Sequence, residues 1–228
     1  MSNSLLGTLR DRPLLGDGAM GTQLQEAGLE SGGCGEAWNL DEPDRVVAIQ
    51  RRYVEAGSDC LITNTFGGSR LMLERHTANP DVVGINKAAV EVARRAFGDR
   101  DGFVLGDIGP FGGLMEPYGE ITRAEVDRAF AEQAKALVEA GADAIIVETQ
   151  TVLDEAGAAI AAAKAAGAQC VIASMAFDFT HETHELRTMM GTDPDEAAAF
   201  LEAAGADVLG LNCGTNIDMA RALAAVQR

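Results

Sequence analysis

The stretch of sequence that decides the fold reads Gly141-Ala142-Asp143-Ala144-Ile145-Ile146-Val147-Glu148-Thr149. Its apolar run is too short for a helix, is rich in β-branched residues and lacks polar alternation, which is typical of a parallel strand covered on both faces. The preceding Ala140-Gly141 is a natural left-handed end for a helix. The strand therefore carries Glu148 to the C-terminal edge of a sheet, where α/β proteins place their active sites.

The same pattern, Ala-Gly-x-Asp followed by a short apolar run, recurs along the chain. It precedes residues 60–66 and residues 208–213, and a degenerate copy, Ala166-Gly167-Ala168-Gln169, precedes residues 170–175. Each copy follows an Ala-rich amphipathic segment. The repeating unit of helix, glycine and buried strand predicts βα units around a parallel sheet.

Six strands are predicted, each followed by a helical pattern. Further strands are expected at residues 13–17 and 103–108, and helices at residues 43–56, 86–97, 123–140 (with a capping box, Thr122 to Glu125), 154–166, 194–203 and 218–227. This pattern favours one domain, residues 1–228, with the fold of an α/β (β/α)₈ barrel that lacks its last two βα units, because a closed barrel typically needs about 250 residues. An open doubly wound sheet is the alternative, but no Gly-x-Gly-x-x-Gly loop follows the first strand. Open sheet edges predict association into a homodimer.

Composition narrows the function classes. The chain has 35 acidic and 18 basic residues and a formal charge of −17, which argues against nucleic-acid or anionic-membrane partners, since these require a basic surface. Its four cysteines lie far apart and predict no disulfide framework. The chain has neither an apolar run of about 20 residues nor an N-terminal signal peptide, so the expected compartment is the cytoplasm.

Polar and glycine-rich segments at the predicted strand ends are the candidate site. Gly16-Asp17-Gly18-Ala19-Met20-Gly21-Thr22 predicts a tight turn or a close approach to a ligand. The cluster Thr63-Asn64-Thr65 can hold a carboxylate or cap the next helix. His181 and His184 raise a metal hypothesis, but a solvated acidic loop over residues 177–185 is favoured because no helix there would align both imidazoles.

Six motifs appear in order at these strand ends: the Gly16 to Thr22 segment, Trp38-Asn39-Leu40, Thr63-Asn64-Thr65-Phe66, Gly106-Asp107-Ile108-Gly109-Pro110, Val147-Glu148-Thr149 and Gly210-Leu211-Asn212-Cys213. Together they make the whole chain resemble the homocysteine S-methyltransferase family, in particular its cobalamin-dependent branch. The resemblance implies a (β/α)₈ barrel and transfer of a methyl group to the sulfur of homocysteine or a related thiol.

The resemblance also implies site residues. Asp17, with Gly18 in the same motif, and Glu148 match positions that receive the amino group, Thr63, Asn64 and Thr65 match the segment near the carboxylate, and Trp38 matches a loop aromatic near the substrate. Family members hold zinc with three cysteines, of which the first matches Cys213. The other two belong to a Gly-Gly-Cys-Cys motif that this sequence lacks, and Cys34, Cys60 and Cys170 do not occupy matching positions.

Zinc would hold the substrate sulfur as a thiolate, because a free thiol with a pKa of about 8.5 is mostly protonated at neutral pH. No protein nucleophile is then needed. The chain has no Asp-x-His-x-x-Gly cobalamin motif, so methylcobalamin would arrive on a separate corrinoid domain or protein. A diffusible donor such as betaine or S-methylmethionine is the competing expectation.

Two other functions stay open on the sequence. One is a non-catalytic module that binds a thiol amino acid or a corrinoid protein and has lost the metal centre. The other is a different barrel enzyme that uses Asp17, Asp107 and Glu148 as acid and base.

Overall fold

The computed structural model describes residues 4–180 and 185–214. The helices are α1 (Leu5–Asp11), α2 (Gly21–Glu26), α3 (Trp38–Asp41), α4 (Pro43–Ala56), α5 (Arg70–Leu73), α6 (Val82–Phe97), α7 (Arg123–Glu139), α8 (Leu153–Ala165) and α9 (Pro194–Ala203). The strands are β1 (Cys60–Ile62), β2 (Phe103–Ile108), β3 (Ala144–Gln150), β4 (Val171–Met175), β5 (Asp178–Thr180), β6 (Glu185–Arg187) and β7 (Val208–Leu211).

Five strands form one parallel sheet in the order β1-β2-β3-β4-β7. The connecting helices α4, α6, α7, α8 and α9 pack against each other in succession. Their apolar faces and the strands enclose one large core. This is the succession of βα units predicted for an incomplete (β/α)₈ barrel, and the predicted capping box of Thr122 and Glu125 begins α7.

The recurring Ala-Gly-x-Asp pattern has a structural explanation. Each glycine ends a helix with a positive φ, as at Gly57, Gly141 and Gly205, where a side chain would be strained. Each aspartate then clamps the neighbouring strand, because its backbone N–H donates to one residue's carbonyl and its carboxylate accepts from the same residue's N–H. The clamped pairs are Asp59 with Leu15, Asp143 with Val104, and Asp207 with Val171.

A basic side chain completes each clamp, from within a helix in two cases and from the residue that follows α1 in the third. The pairs are Arg12 with Asp59 at 2.7 Å, Arg94 with Asp143 at 2.8 Å, and Lys164 with Asp207 at 2.6 Å. The degenerate copy has Gln169, whose side chain donates a long hydrogen bond of 3.4 Å to the nearby Gly167 carbonyl. The aspartate in the pattern therefore specifies the register of adjacent strands at their N-terminal ends.

The prediction of a first strand at residues 13–17 is wrong. The segment lies beside β1, as expected, but it is not a strand. The Leu15 carbonyl accepts from the N–H groups of Asp59 and Cys60. At the next pairing position the Ile62 N–H donates to the carboxylate Oδ2 of Asp17, at 3.0 Å. A side chain thus takes the place of a backbone carbonyl, and the ladder ends after one residue.

A second expectation is also wrong. The segment predicted as a solvated loop, residues 177–185, contains β5 and the first residue of β6, and these two strands pair antiparallel. Because residues 13–17 form no strand, the main sheet has five strands within the described residues and not the six predicted. His181, His184 and the helical pattern at residues 218–227 lie outside the described residues.

Helix α1 covers the N-terminal end of the sheet. Leu5 packs with residues from the starts of four strands, namely Cys60, Leu105, Ala144 and Cys170. The two strand cysteines are therefore buried at the end opposite to Glu148. No helix in residues 4–180 and 185–214 is long and apolar enough to cross a membrane. Homodimer formation remains a prediction.

Candidate active site at the C-terminal rim

Polar side chains meet at the C-terminal edge of the sheet. They come from the segment of residues 13–17 and from four strands or the residues that directly follow them. Asp17 lies beside β1, Thr63 to Thr65 follow β1, Asp107 is in β2, and Glu148 is in β3. Asn212 and Cys213 follow β7. Because the strands are parallel, their C-terminal ends share one edge.

The carboxyl group of Asp17 has two distinct oxygens. Oδ2 accepts from the Ile62 N–H, whereas Oδ1 is buried and has no hydrogen-bond partner among the residues that the structure describes. Burial raises the pKa of Asp17 to about 7, and the nearby charge of Glu148 adds to the rise. Ionising Asp17 therefore costs free energy that a bound cation would offset.

Asp107 is the most buried carboxyl group of the rim, at 2% exposure. Its Oδ1 has no hydrogen-bond partner within residues 4–180 and 185–214. Burial raises its pKa well above the ordinary value, with further contributions from Glu148, Glu36 and Asp17. From the sequence, Asp107 was part of a strand-end motif and a candidate acid or base of an alternative enzyme, but it was not predicted to bind substrate together with Asp17 and Glu148.

Glu148 is half-buried near the end of β3, and burial raises its pKa. Its Oε2 accepts a hydrogen bond of 3.1 Å from Nδ2 of Asn212. Within residues 4–180 and 185–214, no lysine or arginine forms a salt bridge with Asp17, Asp107 or Glu148. The rim therefore presents three carboxyl groups that lack a counter-charge in the described part of the chain, an arrangement suited to a ligand ammonium with its three N–H donors.

The side chains of Thr63, Asn64 and Thr65 are buried and bonded within the protein. Thr63 Oγ1 accepts from the Asp107 N–H at 2.9 Å and lies 2.7 Å from Thr65 Oγ1, which donates to the Asp107 carbonyl at 2.8 Å. The Asn64 amide donates to the Gly35 carbonyl and to Asn39. These side chains hold the rim and the glycine-rich loop together, so a contact with a substrate carboxylate would fall to the backbone of this segment.

Gly18 and Trp38 have clear packing roles. A Cβ at Gly18 would lie 2.9 Å from the Tyr53 ring, and the Tyr53 hydroxyl donates to the Ala19 carbonyl at 2.8 Å. Trp38 begins α3, and the Arg45 guanidinium lies 5.1 Å from its ring centroid. Both residues thus anchor the loops beside the rim, and their predicted contact with a substrate remains a prediction.

Cys213 is the exposed thiol of the rim. It has a φ of +57°, which is rare for residues with a side chain, and its Sγ accepts from Nδ2 of Asn212 at 3.3 Å. Cys34 has another environment, because its thiol donates to Glu36 at 3.6 Å.

The donor set does not by itself fit zinc. No group of three or more His, Cys, Asp or Glu side chains in the described residues could hold a metal ion, and one thiolate is not the four-coordinate shell that zinc requires.

Comparisons with known proteins agree with this arrangement. The sequence profile of the homocysteine S-methyltransferase family matches residues 14–228. Methionine synthase of Mycobacterium leprae is 36% identical over 226 residues, which is 92% of this chain and 18% of that protein. Betaine–homocysteine S-methyltransferase 1 of Mus musculus is 28% identical over 208 residues, 88% of this chain and 48% of the relative. The chain thus spans about a fifth to a half of the length of these relatives.

A solved structure shows the same fold. The metallated form of the homocysteine methyltransferase MmuM from Escherichia coli superposes with a TM-score of 0.73 at 22% identity, over 92% of this chain and 77% of the other. The similarity confirms the predicted barrel class.

Proposed function

The chain belongs to the homocysteine S-methyltransferase family, and from this premise we propose that it moves a methyl group to the sulfur of homocysteine or a related thiol amino acid. The observation that carries the proposal is the acidic cluster of Asp17, Asp107 and Glu148. The buried Asp107 and the half-buried Asp17 and Glu148 lie on adjacent parts of one rim, and ionising them together is costly unless a cation joins them. The ammonium group of an amino acid is such a cation.

The reaction assigns different tasks to the two ends of the substrate. Asp17 and Glu148 would fix the ammonium group by charge-assisted hydrogen bonds, which positions the sulfur toward Cys213. The substrate thiol first gives up its proton to solvent. The sulfur then forms the new S–CH₃ bond while the bond between the methyl group and its donor breaks, and the donor keeps that bond's electron pair. The protein contributes orientation of the nucleophile and no nucleophile of its own.

The zinc part of the proposal concerns Cys213. We propose that this thiolate is one ligand and that the further ligands come from outside these 228 residues. A bound zinc ion would keep the substrate sulfur deprotonated. The exposed position of Cys213 on the same rim as the acidic cluster supports this role.

The proposal for the methyl donor rests on sequence similarity to known proteins alone. We propose methylcobalamin carried by a separate corrinoid domain or protein, because the methionine synthases share 35–36% identity with this chain. A diffusible betaine is the competing donor, since betaine–homocysteine methyltransferases share 27–28%.

Isothermal titration of homocysteine into the wild type and into Asp17→Asn and Glu148→Gln tests the proposal. Each change removes one negative charge from the ammonium site and keeps the side-chain shape, so we expect each to weaken binding by about 10- to 100-fold, as for hydrogen bonds to charged groups. Glu91→Gln, at an exposed position of α6, is the matched control and should bind like the wild type. Unchanged affinity in both rim variants, with the fold intact by circular dichroism, would remove these residues from the site.

A further inference from the structure

One amide side chain joins the two ends of the proposed substrate site. Asn212 follows β7, yet its side chain reaches the end of β3, which is not adjacent to β7 because β4 lies between them. Nδ2 lies 3.1 Å from Oε2 of Glu148, 2.7 Å from Oγ1 of Thr149 and 3.3 Å from Sγ of Cys213. The carboxylate proposed for the ammonium group and the rim thiol therefore contact the same nitrogen.

The oxygen of the Asn212 amide is also hydrogen-bonded. Oδ1 of Asn212 accepts from the Thr149 N–H at 3.0 Å and from the Ser174 hydroxyl at 2.7 Å. A backbone N–H can only donate, so the amide oxygen must face Thr149 and the NH₂ group must face Glu148. The orientation of the amide is thus fixed by its surroundings.

The segments that Asn212 joins are conformationally unusual. Thr149 and Cys213 both have a φ of +57°, and the pairing of β3 with β4 shifts register between Val147 and Gln150. Residues with side chains adopt such backbone only where the surroundings impose it. Asn212 bonds to both strained residues and to Glu148, so its amide fixes their relative positions.

We propose that Asn212 is a positioning residue that sets the distance between the Glu148 carboxylate and the Cys213 thiol and thereby selects homocysteine over the shorter cysteine. The inference rests on the proposed function, because Glu148 must hold the ammonium group and the substrate sulfur must lie beside Cys213. The two thiol amino acids differ by one methylene between the amino-bearing carbon and sulfur. A rim of fixed span fits one of them only.

Disulfide exchange at Cys213 tests whether the distance between the Glu148 carboxylate and the Cys213 thiol favours homocysteine over cysteine. In metal-free buffer the Cys213 thiolate attacks the S–S bond of homocystine or cystine, forms a mixed disulfide and releases one homocysteine or cysteine thiolate. The rate at each cysteine is followed by peptide mass spectrometry, and the homocystine-to-cystine rate ratio is compared between Cys213 and the half-buried Cys34 of the same molecule. A change in the intrinsic reactivity of Cys213 cancels in this ratio.

In the wild type we expect the ratio at Cys213 to exceed that at Cys34 by tenfold or more. Asn212→Ala and the isosteric Asn212→Asp should bring the two ratios within twofold of each other. Asn212→Asp retains the acceptor for Thr149 and Ser174 and replaces only the donor that faces Glu148, so it tests the donor separately even if the alanine variant folds poorly. Ser174→Ala, which spares all Nδ2 contacts, should keep the wild-type ratio.

Each outcome decides between the proposals. An Asn212→Asp variant that folds and keeps the wild-type ratio would overturn the positioning role. A wild type that binds homocysteine by calorimetry but shows equal ratios at Cys213 and Cys34 would overturn the inference and leave the proposed function standing. A wild type with neither homocysteine binding nor a preference at Cys213 would overturn both.

Discussion

Burial raises the pKa of several carboxyl groups in this molecule. Besides the acidic cluster, Glu155 in the first turn of α8 is only 4% exposed, accepts from the Phe111 N–H at 2.7 Å and has its pKa raised to about 7 by burial. Glu155 was not predictable as a buried group from the sequence, because an acidic residue in the first turn of a helix is ordinarily an exposed partner of the helix dipole. Only the packing of the loop after β2 over α8 makes it a buried group.

Glu155→Gln should change how stability depends on pH. The folded state holds a proton that the unfolded chain releases above about pH 4.3, so the contribution of this group to stability is complete below that pH and is lost as the pH rises toward 7. We expect the free energy of unfolding to fall between pH 5 and pH 8 in the wild type, and the fall to be smaller by about 2 kcal/mol in the variant. Denaturant unfolding at the two pH values measures the difference. The matched change Glu91→Gln should reproduce the wild-type fall, and an equal fall in Glu155→Gln would contradict the prediction.

At the scale of elements, the aspartate clamps explain why the strands could be placed from the sequence. The Ala-Gly-x-Asp pattern marks the helix end and the residue that pairs with the neighbouring strand, so both the order and the register follow from a local pattern. The segment of residues 13–17 was misjudged because Asp17 uses its side chain where a strand would use its carbonyl. The pair β5 and β6 was missed because charged residues are unusual in strands.

Asp143→Ala should destabilise the protein by about 1–3 kcal/mol, since it leaves the Val104 N–H without its acceptor and removes the ion pair with Arg94. The same change at the equivalent position of the degenerate copy, Gln169→Ala, removes only a weak local bond and should cost less than about 0.5 kcal/mol. Chemical denaturation of both variants provides the comparison. Equal losses at the two positions would show that the clamp contributes nothing specific.

At the scale of the whole molecule, the position of the carboxyl groups at one edge of the sheet was predictable from the strand ends, but the Asn212 side chain that contacts Glu148 was not; the role of these groups in binding stays a prediction. Asn212 and Glu148 are 64 residues apart, and a side-chain bond across an intervening strand leaves no periodic signal in the sequence. The proposed zinc site is a different case, because the described residues place one thiol, that of Cys213, at the rim. The proposal therefore draws its other ligands from outside these 228 residues.

A metal-content experiment addresses that completion. We expect the isolated chain to hold well below one equivalent of zinc, because a single thiolate provides one of four ligands. Adding a peptide with the Gly-Gly-Cys-Cys sequence should raise zinc binding by the wild type and by Cys34→Ser, but not by Cys213→Ser. Elemental analysis after gel filtration gives the stoichiometry. Full zinc binding by Cys213→Ser would exclude Cys213 as a ligand, and no binding by any mixture would favour the non-catalytic binding module.

Position 17 must meet two requirements. Its side chain accepts the hydrogen bond that a strand carbonyl would otherwise accept, and it belongs to the proposed ammonium site. Its bond to the Ile62 N–H requires an acceptor two bonds beyond Cβ, a requirement that asparagine also meets, whereas serine is too short and glutamate too long. Selection for folding alone would therefore accept aspartate or asparagine at position 17. Selection for a cationic ligand would accept only aspartate, so a lineage that lost the ligand could drift to asparagine without losing the barrel.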